Sequence, residues 1–233
     1  MNAIITGATK GIGRAIAQKL ALAGYDLAIC SRSQSEIDMF KTELKRINPG
    51  VTIIGLQTDC SEPQQVQRFA GFVQQHFEVV DVLVNNAGTY IPASILDETE
   101  GTLQLQMQLN FNTAYQLCRI FGRQMRDNRK GHIVNICSIA AIKPIVSAGS
   151  YSVTKFALLG LTKVLREELM PYHVKVTAIL PGSTMTDSWK GTDIPPDRFV
   201  SADDVGDAVL SCLQMSAGCN IDELVIRPLE GEI

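Results

Sequence analysis

Three glycines punctuate Thr6-Gly7-Ala8-Thr9-Lys10-Gly11-Ile12-Gly13, which joins a short apolar strand, predicted over Ala3–Ile5, to a helix predicted over Ile12–Ala23. The helix is expected because Ile12, Ile16 and Leu20 recur every four residues and so share one face. A glycine-rich turn between a strand and a helix is typical of a loop that binds nucleotide phosphates. No Gly-Lys-Ser/Thr ending follows, so the pattern does not indicate an ATP-binding loop.

Each glycine of this loop has its own predicted role. Gly7 permits a tight turn, Gly11 lets the backbone approach a pyrophosphate, and Gly13 lets the helix pack closely on the strand. The N-terminus of the helix adds free N–H groups and a partial positive charge. We therefore predict a dinucleotide site here; the alternative is a loop that is glycine-rich only for its turn geometry.

Strands and helices alternate along the rest of the chain. Short strands rich in Val and Ile that are separated by helices predict a parallel sheet covered on both faces, with ligands at the carboxyl ends of the strands. The further strands are predicted at Asp26–Cys30, Val51–Leu56, Val79–Val84, His132–Ile136, Val174–Leu180 and Glu223–Ile226. The further helices are predicted at Gln34–Ile47, Glu62–His76, within Glu100–Asp127 as one long helix, and at Tyr151–Met170 and Ala202–Leu213.

Composition limits the classes of function. The chain has 233 residues, 45% of them hydrophobic, and a net charge of −3, which gives no general attraction to nucleic acid or to anionic lipid. No apolar run approaches the roughly 20 residues that span a bilayer, and no targeting segment is recognised, so we expect no membrane partner and a cytoplasmic location. The six cysteines form no C-x-x-C pair and the three histidines share no ligand spacing, so we predict no metal site.

Four ordered motifs carry a family resemblance. Besides T-G-x-x-x-G-x-G, they are the Asn-Asn-Ala-Gly element after the fourth strand, a Ser…Tyr-x-x-x-Lys set, and a Pro-Gly-x-x-x-Thr element after the sixth strand. Their residues are Asn85, Asn86, Ala87, Gly88, Ser138, Tyr151, Lys155, Pro181, Gly182 and Thr186. The chain resembles the short-chain dehydrogenase/reductase family, in its NADP-preferring branch. The resemblance implies an α/β, doubly wound Rossmann fold with about seven parallel strands, in a single domain over residues 1–233.

The resemblance implies an oxidoreductase that transfers a hydride between a nicotinamide and a carbonyl or alcohol. Tyr151 is the expected general acid and base: a free phenol loses its proton only well above neutral pH, and the ammonium of Lys155, one helical turn away, favours the phenolate. Ser138 is expected to hold the substrate oxygen, and Asn110 to hold a water that links Lys155 to solvent. Asn112 competes with Asn110 for that role, although the flanking pattern favours Asn110.

The expected cofactor-binding residues follow from the same resemblance and surround the loop and the strand ends. They are Gly7, Thr9, Lys10, Gly11, Ile12, Gly13, Ser31, Arg32, Asp59, Asn86, Ala87, Gly88, Tyr151, Lys155, Pro181, Gly182, Thr184 and Thr186. Lys155 is also expected to hold the nicotinamide ribose, and Asp59 to contact the adenine amino group.

The end of the second strand indicates which nicotinamide is used. An acidic residue at that position favours NAD, because it accepts hydrogen bonds from the adenosine ribose. Here the position falls on Ser31, and Arg32 follows it, with Lys10 supplying a second positive charge. An arginine can pair with a 2′-phosphate, so we predict NADPH or NADP rather than NAD. Each residue alone could also be a solvated surface charge.

The substrate is not named by the sequence. Residues 183–201 are expected to form a short lid, in which Trp189 either lines an apolar pocket or packs the lid onto the domain. The two long helices resemble a family bundle that forms a homodimer or homotetramer, although Leu103, Met107 and Phe111 could instead be core. Two alternatives to a small-molecule carbonyl reductase stay open: a 3-oxoacyl-carrier-protein reductase and a catalytically silent dinucleotide-binding regulator.

Overall fold

A computed structural model describes residues 1–189 and 191–233. Seven parallel strands form one sheet in the order β3-β2-β1-β4-β5-β6-β7. The strands are β1 (Asn2–Thr6), β2 (Asp26–Ser31), β3 (Ile53–Gln57), β4 (Val82–Asn85), β5 (Gly131–Ile136), β6 (Val174–Pro181) and β7 (Glu223–Ile226). The strand order reverses between β1 and β4, which opens a crevice at their carboxyl ends. The predicted doubly wound α/β fold with seven parallel strands is confirmed.

Helices cover both faces of the sheet. They are α1 (Gly11–Leu22), α2 (Gln34–Ile47), α3 (Pro63–His76), α4 (Thr102–Met107), α5 (Thr113–Asn128), α6 (Gly149–Leu169) and α7 (Ala202–Leu213). One apolar cluster joins the sheet to α1, α2 and α7, and a second joins it to α3, α5 and the end of α6. Ile5 belongs to the first cluster and its neighbour Ile4 to the second, as alternation along a strand buried on both faces requires.

Two strands begin later than the sequence predicts. The strand predicted over Val51–Leu56 begins at Ile53, because the N–H of Val51 still donates to the carbonyl of Asn48 in the preceding turn. The strand predicted over Val79–Val84 occupies Val82–Asn85. Residues 79–80 bond to side chains instead of a neighbouring strand, since the N–H of Val80 donates to the Gln124 side chain.

The prediction of a single long helix within Glu100–Asp127 is wrong in one respect. A π-helical turn at Gln108–Asn112 separates α4 from α5. The N–H of Thr113 closes it by donating to the carbonyl of Gln108, five residues earlier. The Thr113 hydroxyl donates to the carbonyl of Cys60 at 2.6 Å, which fixes the turn against the end of β3. Such turns are frequent at functional sites.

His132 on β5 makes the free energy of unfolding depend on pH. Burial lowers the pKa of this imidazole from 6.5 to about 4, and its Nε2 lies 2.8 Å from the Thr177 hydroxyl oxygen. Above pH 6.5 the side chain is neutral in both states and the stability is complete. Between 6.5 and 4 only the unfolded state gains the proton, so we expect a loss of about 2–3 kcal/mol.

Urea unfolding of the wild type and His132→Gln, from about pH 7.5 to about pH 4.5, measures this loss. Glutamine keeps a polar partner for Thr177 but cannot take up a proton, so the variant removes the histidine's contribution and leaves that of the carboxylates. The wild type should lose more stability than the variant as the pH falls. Parallel stability curves for the two proteins would refute the expectation.

Candidate active site

The glycine loop lies at the carboxyl end of β1 and is built around close backbone contacts. A Cβ on Gly13 would lie 2.4 Å from both the Gly7 carbonyl oxygen and the Asn86 side-chain nitrogen. Gly7 and Gly11 have φ values of +64° and +50°, a region that side-chain-bearing residues rarely adopt. All three positions therefore require glycine, and the loop keeps the open backbone that the sequence predicts.

Asn86 and Ala87, after β4, hold this loop from the other side of the crevice. The Asn86 side-chain N–H donates to the carbonyls of Thr6 and Gly7 at 2.9 and 3.1 Å. The Thr6 hydroxyl accepts from the N–H groups of Asn86 and Ala87, each at 3.0 Å. Three of these four bonds involve Asn86, which is therefore a structural support for the loop as well as part of the cavity wall.

The N-terminus of α1 is suited to an anion. Lys10 caps the helix with its backbone only, and the first turn of this described helix contains no acidic residue and no side-chain cap. The first-turn N–H groups therefore face the crevice with the positive end of the helix dipole. Thr186, from the segment after β6, lies against this turn, since a Cβ on Gly11 would be 3.1 Å from its methyl group.

The adenosine end of the predicted site contains an ion pair that the sequence does not reveal. Lys10 lies 2.7 Å from the Glu36 carboxylate, which also accepts a hydrogen bond from the Thr9 hydroxyl at 3.1 Å. The hydrogen bond from Lys10 is the main cause of a lowered pKa for Glu36, and Arg32 adds a smaller effect. Both predicted cations, Lys10 and Arg32, thus act on one carboxylate in the first turn of α2.

Ser31 and Asp59 flank this region at the ends of β2 and β3. The Ser31 hydroxyl accepts from the N–H of Ser33 at 3.3 Å, and the Ser31 carbonyl accepts from Thr58. Asp59 accepts from the hydroxyl and the N–H of Ser61 at 2.7 and 2.9 Å, which lowers the pKa of its carboxyl group. Asp59 is therefore charged and lies just after the end of β3.

A cavity of about 780 Å³ lies at the carboxyl ends of β4, β5 and β6. Many of the predicted site residues line it. These are Ile12, Asn86, Gly88, Ser138, Tyr151, Lys155, Pro181, Gly182, Thr184 and Thr186. Ser138 is held in place there because its hydroxyl oxygen accepts from the N–H of Ala140 at 3.1 Å. A hydroxyl has one proton to donate, so this bond leaves the Ser138 proton able to point into the cavity.

Tyr151 and Lys155 share one face of α6 and meet at the same cavity. The Lys155 ammonium lies 5.7 Å from the centre of the Tyr151 ring and donates to the Ile136 carbonyl at 3.0 Å. Its side chain is buried, which is costly for a charge. The Tyr151 ring meets Tyr90 edge to face, with the ring centres 4.9 Å apart. Burial and, to a smaller extent, the nearby Tyr151 raise the pKa of Tyr90.

Asn110 lies behind the cavity, in the π-helical turn. Its side-chain oxygen accepts from the Thr89 N–H at 2.7 Å, and its amide N–H groups donate to the Thr89 carbonyl and the Thr154 hydroxyl, each at 3.0 Å. The side chain therefore fixes the segment after β4 to α6 through both amide protons and one lone pair of its oxygen. Asn112 is exposed, and its side-chain amide donates to the Gln108 side chain, outside these contacts.

The lid predicted over residues 183–201 follows β6. It contains 3₁₀ turns at Asp187–Trp189 and Pro196–Arg198, and a bridge between Thr184 and Val200 closes its base. Trp189 lines the cavity, as the first alternative expects, and it packs on Phe199, another residue of the lid, with ring centres 4.9 Å apart. Lys190, which falls within the predicted lid, lies outside the described residues.

Four side chains that sequence reasoning missed also belong to the site. Tyr90, Lys143 and Glu232 line the cavity, and Glu36 contacts Lys10. Tyr90 could have been found, because it comes two residues after the Asn-Asn-Ala-Gly element. Glu232 had no local signal, since its contact with Ser183 joins residues 49 positions apart.

Within the described ranges, no group of three or more His, Cys, Asp or Glu side chains is placed to hold a metal ion. Over the same ranges, no helix is both long and apolar enough to cross a bilayer.

A family model described as short chain dehydrogenase matches residues 1–195. The chain belongs to this family of oxidoreductases, and the family resemblance read from the motifs is confirmed.

Relatives and solved structures of the family align over nearly the whole chain. An uncharacterized oxidoreductase from Staphylococcus epidermidis is 28% identical over 227 residues, which are 97% of this chain and 96% of that protein. An alcohol dehydrogenase from the archaeon Thermococcus sibiricus, solved with 5-hydroxy-NADP, has a TM-score of 0.90 and 27% identity and covers 100% of this chain and 98% of its own. L-sorbose reductase from Gluconobacter frateurii, solved with NADPH and L-sorbose, has a TM-score of 0.89 and 27% identity, covering 97% and 94%.

Proposed function

We propose that this chain is an NADPH-dependent carbonyl reductase or alcohol dehydrogenase in which Tyr151 exchanges the proton. The observation that carries the proposal is the meeting of Ser138, Tyr151 and Lys155 at one cavity beside a glycine loop. Each of these three side chains has a role in proton transfer or binding there. Without such a role, the burial of the Lys155 ammonium would only cost free energy. Perturbed or buried charges in a crevice are typical of functional sites.

The residues present fit a dinucleotide. The glycine loop is a cradle that a Cβ on Gly13 would fill, and the first turn of α1 offers N–H groups to a pyrophosphate. Gly11 and Thr186 would hold the phosphates, and Lys155 would hold the nicotinamide ribose with the two donors that its bond to Ile136 leaves free. When bound, NADPH supplies the hydride that reduces a carbonyl carbon, and NADP accepts it in the reverse reaction.

The protein's own part is proton transfer and orientation. The Tyr151 hydroxyl donates its proton to the carbonyl oxygen during reduction and takes it from the alcohol during oxidation. The Ser138 hydroxyl, oriented by Ala140, donates a hydrogen bond to the same oxygen and stabilises the negative charge that develops there. The Lys155 ammonium stabilises the phenolate after the proton has left, because the opposite charges lie close together in a buried site.

NADP is proposed over NAD because of the charge around β2 and α2. Arg32 follows the end of β2, where Ser31 replaces the carboxylate expected of an NAD site, and Lys10, at the start of α1, reaches Glu36 in the first turn of α2. The solved relatives with 5-hydroxy-NADP and with NADPH support the same choice. Glu36 opposes the choice of NADP in part, because its carboxylate pairs with Lys10 and would repel a 2′-phosphate.

The cavity favours a small carbonyl compound with polar groups. Trp189, Tyr90 and Ile145 give it apolar walls, while Ser147 and Lys143 supply donors at its rim. The L-sorbose bound by one solved relative is a small polyhydroxylated substrate of this kind.

We also propose a homodimer or homotetramer in the cytoplasm. Leu103, Val153, Phe156 and Val164 are exposed apolar side chains on α4 and α6, which supports an assembly through these helices. Met107 and Phe111, in contrast, are partly buried, which fits both a place in the core and a place in an assembly interface. All six cysteines are free thiols and five are buried, which suits a reducing compartment.

Oxidation of NADPH in the presence of simple ketones, diketones and ketoses tests the function. We expect turnover with at least one class, and a kcat/KM for NADPH above that for NADH. Titration of the protein with NADPH, followed by fluorescence, separates the alternatives: binding without turnover of any class favours the silent regulator, and absence of binding to either dinucleotide contradicts the proposal altogether.

A further inference from the structure

Glu232 contacts the cavity wall far from its own position in the sequence. Its carboxylate accepts from the N–H of Ser183 at 2.8 Å and from the Ser183 hydroxyl at 3.1 Å. Arg227 donates to the other carboxylate oxygen at 2.9 Å, and the side chain of Glu232 is only 23% exposed. Hydrogen bonds to a charged acceptor are roughly twice as strong as neutral ones, so this is a firm attachment.

The neighbouring backbone is fixed at the same point. The N–H of Gly182 donates to the Ile226 carbonyl at 2.7 Å, and the Ser183 carbonyl accepts from the N–H of Val200 at 2.9 Å. Glu232 takes the remaining backbone donor between these two bonds. The strand β7, the lid and the segment 227–233 thus meet at Ser183, where Glu232 supplies a charged acceptor.

Gly182 is shaped around this carboxylate. A Cβ at this position would lie 2.5 and 2.6 Å from the two oxygens of Glu232. The carboxylate therefore rests directly on the backbone that follows β6, with no space for a side chain between them. A substitution of Gly182 would force Glu232 to move.

We propose that Glu232 is a positioning residue that holds the segment Pro181–Thr186 in the arrangement that receives the cofactor. The inference rests on the proposed function, in which this segment forms the cofactor-side wall of the cavity. Glu232 acts through Ser183 and does not exchange protons with the substrate. The segment is thereby ordered before binding, and less conformational entropy is lost when the dinucleotide enters.

Loss of the carboxylate should weaken cofactor binding more than the chemical step. Without Glu232 the N–H of Ser183 has no protein acceptor, and the segment must be ordered by the cofactor itself. We expect Glu232→Ala to raise the Kd of NADPH about tenfold, with a parallel rise in its KM and a small change in kcat at saturation. Glu232→Gln should recover part of the affinity, because its amide oxygen can still accept from Ser183.

Two readouts test this proposal, with Glu230→Ala as the matched control. Glu230 is two residues away, is 71% exposed and pairs with Arg198, so its loss changes the charge equally but leaves Ser183 untouched. Quenching of the single tryptophan, Trp189 in the lid, gives the Kd of NADPH without turnover. Hydrogen–deuterium exchange of a peptide covering 181–186 reports the Ser183 N–H in the cofactor-free protein.

We expect faster exchange over 181–186 and a higher Kd in Glu232→Ala, with Glu230→Ala like the wild type in both. Equal exchange and equal Kd in the two variants would overturn the positioning role. So would a loss of kcat at unchanged Kd, or a Kd increase that accompanies general unfolding. Failure of the wild type to bind either dinucleotide would contradict the proposed function, while the exchange measurement would still decide whether Glu232 holds the segment.

Discussion

Tyr151→Phe should lower kcat by about 10²- to 10⁴-fold, the range that general acid–base catalysis contributes. Phenylalanine keeps the ring and its edge-to-face contact with Tyr90, at 4.9 Å between centres, so the cavity should keep its shape. Only the hydroxyl is lost, and with it the proton that the carbonyl oxygen receives. Steady-state turnover with the best carbonyl substrate from the screen measures the effect, and the Kd of NADPH should change far less than kcat.

Tyr172→Phe is the control for this experiment. Tyr172 also loses one hydroxyl, but it lies after α6 beside Arg129, with the guanidinium 6.0 Å from the ring centre, and takes no part in the cavity as described. Its kcat should match the wild type. If Tyr151→Phe and Tyr172→Phe turn over equally well, Tyr151 is not the proton donor, and another group must supply the proton.

Arg32→Asp should reverse the cofactor preference. A hydrogen bond to a charged group contributes about 1.5–3 kcal/mol, so loss of the guanidinium should weaken NADPH by about 10- to 150-fold. The new carboxylate can accept from the ribose hydroxyls of NADH, which should bind as well as before or better. The Arg32 side chain is exposed, so stability should change little. The ratio of kcat/KM for NADPH and NADH measures the switch.

Glu36→Gln should raise the preference for NADPH over NADH, the opposite of the effect expected for Arg32→Asp in the same assay. The substitution releases Lys10, now 2.7 Å from the Glu36 carboxylate, and removes a negative charge from the proposed phosphate site. Exposed ion pairs contribute up to about 1 kcal/mol, so NADPH should bind up to about fivefold more tightly while NADH stays unchanged.

Arg46→Asp controls for net charge in the cofactor experiment. Arg46 lies in the last turn of α2, about 18 Å along the helix from its first turn, and should leave the preference unaltered. An unchanged NADPH-to-NADH ratio in Arg32→Asp would remove Arg32 from the site. A ratio that moves equally in Arg46→Asp would indicate a general charge effect instead of a local contact.

Local sequence determined most of the fold. Alternating short Val- and Ile-rich strands and amphipathic helices sufficed for the seven-stranded parallel sheet, because burial on both faces leaves few other arrangements. The glycine loop was equally predictable: Gly13 faces the Gly7 carbonyl at a distance that excludes any side chain. The boundaries of the elements were less predictable, because the late start of β3 depends on a hydrogen bond in the preceding turn, from the Val51 N–H to the Asn48 carbonyl.

The meeting of Ser138, Tyr151 and Lys155 could be predicted from the family resemblance, since Ser138 follows β5 and Tyr151 and Lys155 share one face of the next helix, α6. The π-helical turn that carries Asn110 could not be predicted from the sequence. It depends on the Thr113 hydroxyl reaching Cys60, a contact between residues 53 positions apart.

The sequence by itself determined the sheet, the glycine loop and the residues proposed for proton transfer, because periodicity and motif spacing are local properties of the chain. Only the tertiary structure decided what the two carboxylates contact: Glu36 pairs with Lys10, and Glu232 accepts from Ser183 across 49 positions. These contacts join segments through the fold, and a carboxylate acts over a few ångströms whatever its distance along the chain. The sequence therefore could not indicate them.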